Sequence, residues 1–199
     1  MPYVYSVGVS IPDFFASNEY VKELILTESE GIWNGELREL SDKIDSYFMK
    51  TGAKTRTWRN SNSFPKEHIM EAVKHCLEGT SFWHPEKLSS VIYCGIDRGF
   101  VEPAHASVLA ARLGLEHVRA FDVSDACLGW YTSCEAARAF ACDNKPLSLI
   151  ISGEFPIDMP GKVYPNAFRV RDVEVFKWKS AAFTLGEMAT ATLIDARIK

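Results

Sequence analysis

The sequence has no apolar run long enough to cross a bilayer and no basic stretch leading into an apolar core at its start. Neither a membrane span nor secretion is expected, and the reading is cytoplasmic. Positive charge is not in excess: 22 Lys and Arg stand against 26 Asp and Glu, a formal net charge of −4. That balance gives no support for a general nucleic-acid surface, although a local basic patch can still receive a phosphorylated carrier. Cys76, Cys94, Cys127, Cys134 and Cys142 form no CxxC pair and no compact spacing with histidine, which argues against a zinc site. An odd number of cysteines without a secretory leader argues for reduced thiols. Internal repeats and low-complexity linkers are also lacking. What remains is a 199-residue chain, 47% hydrophobic and 24% charged, able to bury a sizeable core and read as one domain over 1–199.

Strand and helix patterns alternate along it. Val4 to Val9 reads as a strand, and Asn18 to Glu28 as a helix opened by Ser17 or Asn18. Pro65 to Leu77 carries Ile69, Met70, Val73, Cys76 and Leu77 on one helical face, with Gly79 as the stop. A strand at Ser90 to Cys94, a helix at Ala104 to Leu113, a strand at Arg119 to Val123, a helix after Cys127 and a strand at Leu147 to Ser152 follow. Two closing strands are expected, Ala181 to Leu185 and Ala189 to Ile194. This alternation points to an α/β fold on a largely parallel sheet. Two stretches stand apart. Residues 31–42 are polar around a lone Trp33 and read as an inserted segment, a short helix or a flap. Residues 155–178 hold Pro156, Pro160 and Pro165 with Arg169, Arg171, Lys177 and Trp178, and read as a long loop. Its charges form either a solvated face or a contact with a phosphopantetheine arm or a subunit.

Cys127 lies where the apolar run Phe121-Asp122-Val123 meets the small-residue turn Ser124-Asp125-Ala126 and then a helical pattern (Leu128, Tyr131, Cys134, Ala137, Ala141). A thiol at a helix N-terminus meets unpaired N–H groups and the positive end of the helix dipole, which favour the thiolate. A strand-turn-helix with a nucleophile at its apex suggests acyl transfer. The alternative is a small hydrophobe packed in a tight turn. Cys76 and Cys94 read as core, and Cys134 and Cys142 as packing along the same helix.

Phe121 to Trp130 resembles the active-site cysteine segment of the ketoacyl-ACP synthase III group of the thiolase superfamily. The likeness runs back through Glu102-Pro103-Ala104-His105 and Leu113-Gly114. Tyr5 to Pro12 resembles that family's opening strand, Thr51-Gly52-Ala53-Lys54-Thr55-Arg56 its Thr-Gly-Ile-basic-x-Arg segment, Ile151 to Glu154 its Gly-Ser-Asp/Glu turn, and Leu185 to Ala191 its Phe-Gly-Asp-Gly-Ala-Gly-Ala stretch. The resemblance implies a thiolase-like half, a βαβαβαββ layer, with Cys127 as nucleophile and Lys50, Thr51, Arg56, Glu102 and Gly186 near the substrate. It implies no metal and no resident cofactor; acyl-CoA or a phosphopantetheinyl acyl carrier protein is the substrate.

The departures carry information as well. In the family, the cysteine works with a His and an Asn from a second, similar half, which this sequence does not contain. His68, His75, His84, His105 and His117 do not fall where the resemblance would place that His. A thiolate can accept an acyl group if N–H groups hold the oxyanion, but decarboxylative condensation also needs donors for an enolate. The expectation is a cysteine-bearing subunit completed by a second polypeptide. The alternatives are a fragment, a non-catalytic structural subunit, or a stand-alone thiol acyltransferase. Glu102 stands where an aromatic residue often reaches the partner's acyl pocket, which disfavours a plain fatty chain. Lys50-Thr51 replaces Arg-Thr beside the CoA site, and Ser46 replaces a stacking Trp, which favours carrier delivery. Met188 stands where a second Gly is usual after Gly186.

Overall fold

The computed structural model describes residues 2–60, 63–96, 102–115, 117–157 and 166–197. In chain order the elements are β1 (Tyr3–Ser10), β2 (Phe14–Ser17), α1 (Asn18–Ser29), α2 (Leu37–Thr51), β3 (Thr55–Trp58), α3 (Pro65–Glu78), β4 (Leu88–Tyr93), α4 (His105–Arg112), β5 (Arg119–Asp122), α5 (Gly129–Arg138), β6 (Leu147–Glu154), α6 (Val173–Lys179) and β7 (Met188–Asp195). The chain, read from its sequence as one domain, gathers into two units. The first joins Met1–Ile11, Ser63–Glu154 and Met188–Lys199; the second joins Pro12–Asn62 and Phe155–Glu187.

The first unit is built on a five-stranded sheet of order β1-β7-β6-β4-β5. All six residues of β4 are buried, as are the first five of β6, the continuous burial expected of strands covered on both faces. The serines this run carries are satisfied internally: Ser90 Oγ donates to Ser148 Oγ at 2.8 Å and Ser89 Oγ to the Leu147 carbonyl at 2.7 Å. The sheet is mixed rather than largely parallel. β4 runs parallel to β5 and β6, but β7 returns antiparallel between β6 and β1.

Only one of the two expected closing strands forms. Ala181 to Leu185 is not a strand: Ser180–Thr184 make a 3₁₀ turn that continues from α6. Ser180 Oγ donates to the Lys177 carbonyl and Thr184 Oγ1 to the Ala181 carbonyl, both at 3.1 Å, and these bonds three residues back favour the helical path.

Opposite faces of the sheet carry α3 and α5. A Cβ on Gly8 of β1 would stand 2.0 Å from the Ala72 carbonyl oxygen, so α3 reaches this strand only over a glycine. Two residues on, Ser10 Oγ bonds His68 Nδ1 at 2.8 Å and Glu71 Oε2 at 2.5 Å. On the other face, Trp130 Nε1 of α5 donates to Thr192 Oγ1 at 3.2 Å, and Thr192 is the register partner of Val7. That face stays open beyond α5: Val7 is 56% exposed, Val9 37% and Met188 36%.

The second unit pairs β2 antiparallel with β3 and packs α1 and α2 around Val21, Ile25, Leu40, Ile44, Phe48 and Phe183. Ser17 Oγ caps α1 by accepting from the Tyr20 N–H at 3.2 Å. Residues 31–42, read as an insertion, divide in two. Positions 31–36 form a turn that buries Trp33, and 37–42 open α2. The long loop 155–178 is ordered where described: Phe155 and Ile157 are buried, and α6 occupies its end. Pro160 and Pro165 lie outside the described residues.

Candidate active site

Cys127 occupies a strained turn between β5 and α5. As β5 ends, the Val123 N–H donates to the Tyr93 carbonyl at 2.8 Å, which fixes where the chain leaves the sheet. Asp125 opens a single 3₁₀ turn, Ala126–Leu128, closed by the Leu128 N–H on the Asp125 carbonyl at 2.9 Å. Ala126 adopts φ 42°, a left-handed conformation that costs an L-residue on the order of 1–3 kcal/mol. Thr132 Oγ1 donates to Asp125 Oδ2 at 2.5 Å and ties the turn to the following helix. Gly129 then passes so near β4 that a Cβ would sit 2.9 Å from the Cys94 carbonyl oxygen. The outcome is an exposed thiol at the start of α5, flanked by exposed Leu128, Trp130 and Tyr131. A strained strand-to-helix turn that lifts a nucleophile above a sheet is the geometry of acyl-transfer elbows.

Asp122, five residues before the thiol, joins this turn to α4. Its carboxylate accepts the N–H groups of His105 at 2.8 Å and Ala106 at 2.9 Å, capping the helix N-terminus. Glu102 lies three residues ahead of that cap and is exposed. The two segments singled out in the sequence, 102–106 and 121–130, are therefore brought together by one carboxylate that sequence reading did not single out. An acidic residue at the end of a strand just before a nucleophile turn was the signal for it.

The other thiols differ sharply in setting. Cys76, Cys94 and Cys134 are buried, while Cys142 is exposed. Burial, with Cys94 and Glu135 nearby, pushes the Cys134 thiol up to about 11; burial also raises Cys76. Of the histidines, His105 stacks on Tyr93 with centroids 4.4 Å apart, and His75 Nδ1 bonds the Val9 carbonyl at 3.0 Å. Among the described residues no three His, Cys, Asp or Glu side chains cluster to hold a metal, and no helix is long and apolar enough to cross a membrane.

Lys50, Thr51, Arg56 and Gly186 belong to the second unit. Lys50 is exposed in the last turn of α2, and Thr51 Oγ1 donates to the Phe48 carbonyl at 3.2 Å. Arg56 is only 4% exposed: Nη1 donates to Asn18 Oδ1 at 2.9 Å, the guanidinium lies 5.0 Å from the Phe48 ring centroid, and burial pulls its pKa below the usual arginine value. This side chain holds β3 to the start of α1. Beside Gly186, Glu187 is fully buried, and its carboxylate accepts the N–H groups of Arg59 at 2.7 Å and Ile157 at 3.1 Å.

No family model matches the chain. Among curated proteins, the β-ketoacyl-[acyl-carrier-protein] synthase III of Desulfitobacterium hafniense is 31% identical over 151 residues, covering 75% of this chain and 42% of that protein. The enzyme of the same name from Helicobacter pylori is 29% identical over 138 residues, covering 66% and 41%. The chain thus spans about two fifths of the length of these relatives. Among solved structures, Xanthomonas campestris OleA superposes with a TM-score of 0.78 at 21% identity, over 98% of this chain and 56% of that one. A Cys-to-Ser variant of OleA, with bound lauric acid and lauroyl-CoA, gives 0.77 at 20% identity and the same coverage. The 3-oxoacyl-[acyl-carrier-protein] synthase III of Aquifex aeolicus gives 0.67 at 21%, over 98% and 54%. In sequence and in fold, the chain is a ketoacyl-ACP synthase III-like member of the thiolase superfamily, with the extent of about half of such a protein.

Proposed function

We propose that this chain is the cysteine-bearing part of a condensing acyltransferase, and that Cys127 carries the acyl group. The exposed thiol on the strained turn after Ala126 is the observation that carries the reading. The Cys127 thiolate attacks the carbonyl carbon of an acyl thioester, the carbonyl oxygen becomes an oxyanion, and collapse expels the CoA or phosphopantetheine thiolate, which takes up the proton released by Cys127. Oriented N–H groups near the start of α5 are suited to hold that oxyanion. Glu102, on the segment tied by Asp122 to the cysteine strand, borders the acyl site and selects against a plain fatty chain. The donor is an acyl-CoA or a phosphopantetheinyl carrier protein, with no resident cofactor. Five free thiols fit a reducing, cytoplasmic setting.

Condensation then requires a second polypeptide that supplies the other half, with its His and Asn. The sheet of the first unit supports this. Five strands at about 4.8 Å spacing make a surface roughly 24 Å wide, which takes about two helices of ~10 Å diameter per face. Among the described residues, α5 is the helix packed on the face bearing Trp130, and Val7, Val9 and Met188 are exposed beside it. The test is intact-protein and peptide mass spectrometry after incubation with lauroyl-CoA and with shorter acyl-CoAs, with and without a co-expressed partner. An acyl adduct confined to Cys127 and absent from Cys127→Ala supports the reading, as does a shift to longer acyl groups in Glu102→Phe. Acylation that persists in Cys127→Ala, or none on any thiol with the partner present, rejects it.

A further inference from the structure

Two acids flank the cysteine turn, and the fold uses them differently. Asp122 caps a helix, its carboxylate accepting the N–H groups of His105 and Ala106. Asp125 stands at the N-cap position of the 126–128 turn, where an aspartate side chain ordinarily accepts the N–H of the second or third residue after it, here Cys127 or Leu128. The Leu128 N–H is already taken by the Asp125 backbone carbonyl at 2.9 Å, which leaves that of Cys127 as the natural target. The Asp125 carboxylate makes no such bond. Nor does any side chain cap α5, so among the described residues the N–H groups at its start carry no side-chain acceptor.

What holds the carboxylate elsewhere is Thr132, whose Oγ1 donates to Asp125 Oδ2 at 2.5 Å. A hydroxyl inside a helix ordinarily turns back to the carbonyl four residues earlier, as the neighbouring Ser133 does with Gly129 at 2.7 Å. Thr132 gives its proton to Asp125 instead. Helical side chains lean towards the N-terminus, which aims this hydroxyl at the cysteine turn. The buried face of α5 is made by Gly129, Ser133, Cys134 and Ala137, while Thr132 is half-buried, so packing of the helix does not depend on the hydroxyl. An Asp125 carboxylate released from Thr132 would find the Cys127 N–H within ordinary capping reach and the positive end of α5 beside it. Seated there, it would occupy a donor suited to the oxyanion and set a negative charge beside the thiolate. Both effects oppose acyl transfer.

We propose that Thr132 is a positioning residue for the Cys127 site and acts through Asp125: its hydroxyl keeps the Asp125 carboxylate off the N–H groups at the start of α5 and leaves them to the thioester carbonyl. The identity of the reaction rests on the acyl-transfer reading above. The restraint on the carboxylate does not, because it also governs how a simple alkylating agent meets the thiolate.

The experiment uses the full chain, in the assembly in which it purifies, as wild type, Thr132→Val, Thr132→Ala, Thr132→Ser and the double variant Asp125→Ala/Thr132→Val. Peptide mass spectrometry follows single-turnover loading of Cys127 from lauroyl-CoA at several concentrations, and alkylation of Cys127 by iodoacetamide with the exposed Cys142 as reference on the same sample. Protection of the buried Cys76, Cys94 and Cys134 shows that each variant is folded. Thr132→Val keeps the branched shape without the hydroxyl, and Thr132→Ala repeats the test with a better helix former. Each should lower the maximal loading rate at least about tenfold and shift the half-saturating lauroyl-CoA concentration less than about twofold, because the obstructed donor acts on the oxyanion and not on the bound thioester. Alkylation of Cys127 relative to Cys142 should slow at least about threefold in both. Thr132→Ser, which keeps the hydroxyl, should restore loading and alkylation. The double variant has no carboxylate to restrain, and should load at least about fivefold faster than Thr132→Val and regain the wild-type alkylation ratio. Thr132→Val and Thr132→Ala that behave as wild type, Thr132→Ser as slow as Thr132→Val, or a double variant no faster than Thr132→Val would each overturn the proposal; in the last case the hydroxyl only shapes the turn. Failure of lauroyl-CoA to load Cys127 in the wild type would count against the acyl-transfer reading, and the alkylation ratios of the same proteins would still decide the role of Thr132.

Discussion

At the scale of single residues, the five thiols separate into two groups by burial, and chemistry should follow that division. Cys76, Cys94 and Cys134 are enclosed; Cys127 and Cys142 are not. Iodoacetamide at pH 7.5 should therefore label Cys127 and Cys142 and spare the other three until the protein unfolds, with Cys127 the faster if its turn activates it. The Cys134 thiol, pushed by burial from the ordinary thiol value of 9.0 up to about 11, adds a pH dependence whose sign is fixed. Above pH 9 the unfolded chain releases this proton before the folded one does, so the stability that the buried neutral thiol contributes is whole below 9 and is lost as pH rises towards 11. Denaturation midpoints at pH 8 and pH 10.5 should differ more in the wild type than in Cys134→Ala. Equal modification of all five thiols in the folded protein, or a pH dependence identical in the two proteins, would contradict this picture. Arg56 is the residue whose setting was least legible beforehand. The resemblance of Thr51 to Arg56 to a family segment implies a place near the substrate, and only the fold shows the guanidinium enclosed against Phe48 and Asn18.

At the scale of elements, what the sequence disclosed depended on whether a segment's partners are local. β4, β6 and α3 were legible because a continuous apolar run or a helical stripe is written within the segment itself. β2 and β3 have four residues each and show no periodicity to read. α2 was readable but obscured: Leu40, Ile44 and Phe48 recur every four residues and Gly52 closes the helix, yet the polar run before them drew attention to an insertion. The position of β7 between β1 and β6 is a non-local pairing that no segment announces. Glu187 shows the same limit. It sits in a stretch that resembles a glycine-rich turn, but its carboxylate joins the end of β3 to the segment after β6 through Arg59 and Ile157. Glu187→Ala would take the carboxylate away from the 8%-exposed Arg59 side chain and from the N–H groups of Arg59 and Ile157, at a cost of about 3–5 kcal/mol. Urea denaturation should show a large loss for Glu187→Ala and a smaller one for Glu187→Gln, which keeps an acceptor for one N–H. A change below about 1 kcal/mol in the alanine variant would mean that the clasp contributes little.

At the scale of the whole molecule, the chain matches about two fifths of the length of its curated relatives, and apolar surface stands open beside the helix that follows Cys127. Covering that surface is part of the folding free energy of any protein built this way, so the assembly and the stability of the chain are expected to be linked. A second polypeptide homologous to the other half should bury an interface on the order of 2,000 Å² or more, of the obligate kind. Expressed alone, the chain should self-associate or stay poorly soluble; co-expressed, it should give a stoichiometric complex whose condensing activity needs both Cys127 and a histidine of the partner. Val7→Lys separates the two contributions. A lysine on the open face should raise the solubility of the chain alone, because it removes apolar surface from water, and should weaken the complex at least about tenfold, because it buries an unpaired charge there. Size-exclusion chromatography with light scattering reads both effects on one sample. A wild-type monomer that stays soluble and completes the condensation with no other chain would show that the exposed face of β1 and β7 is ordinary surface, and that the chemistry assigned to a partner is performed within these 199 residues.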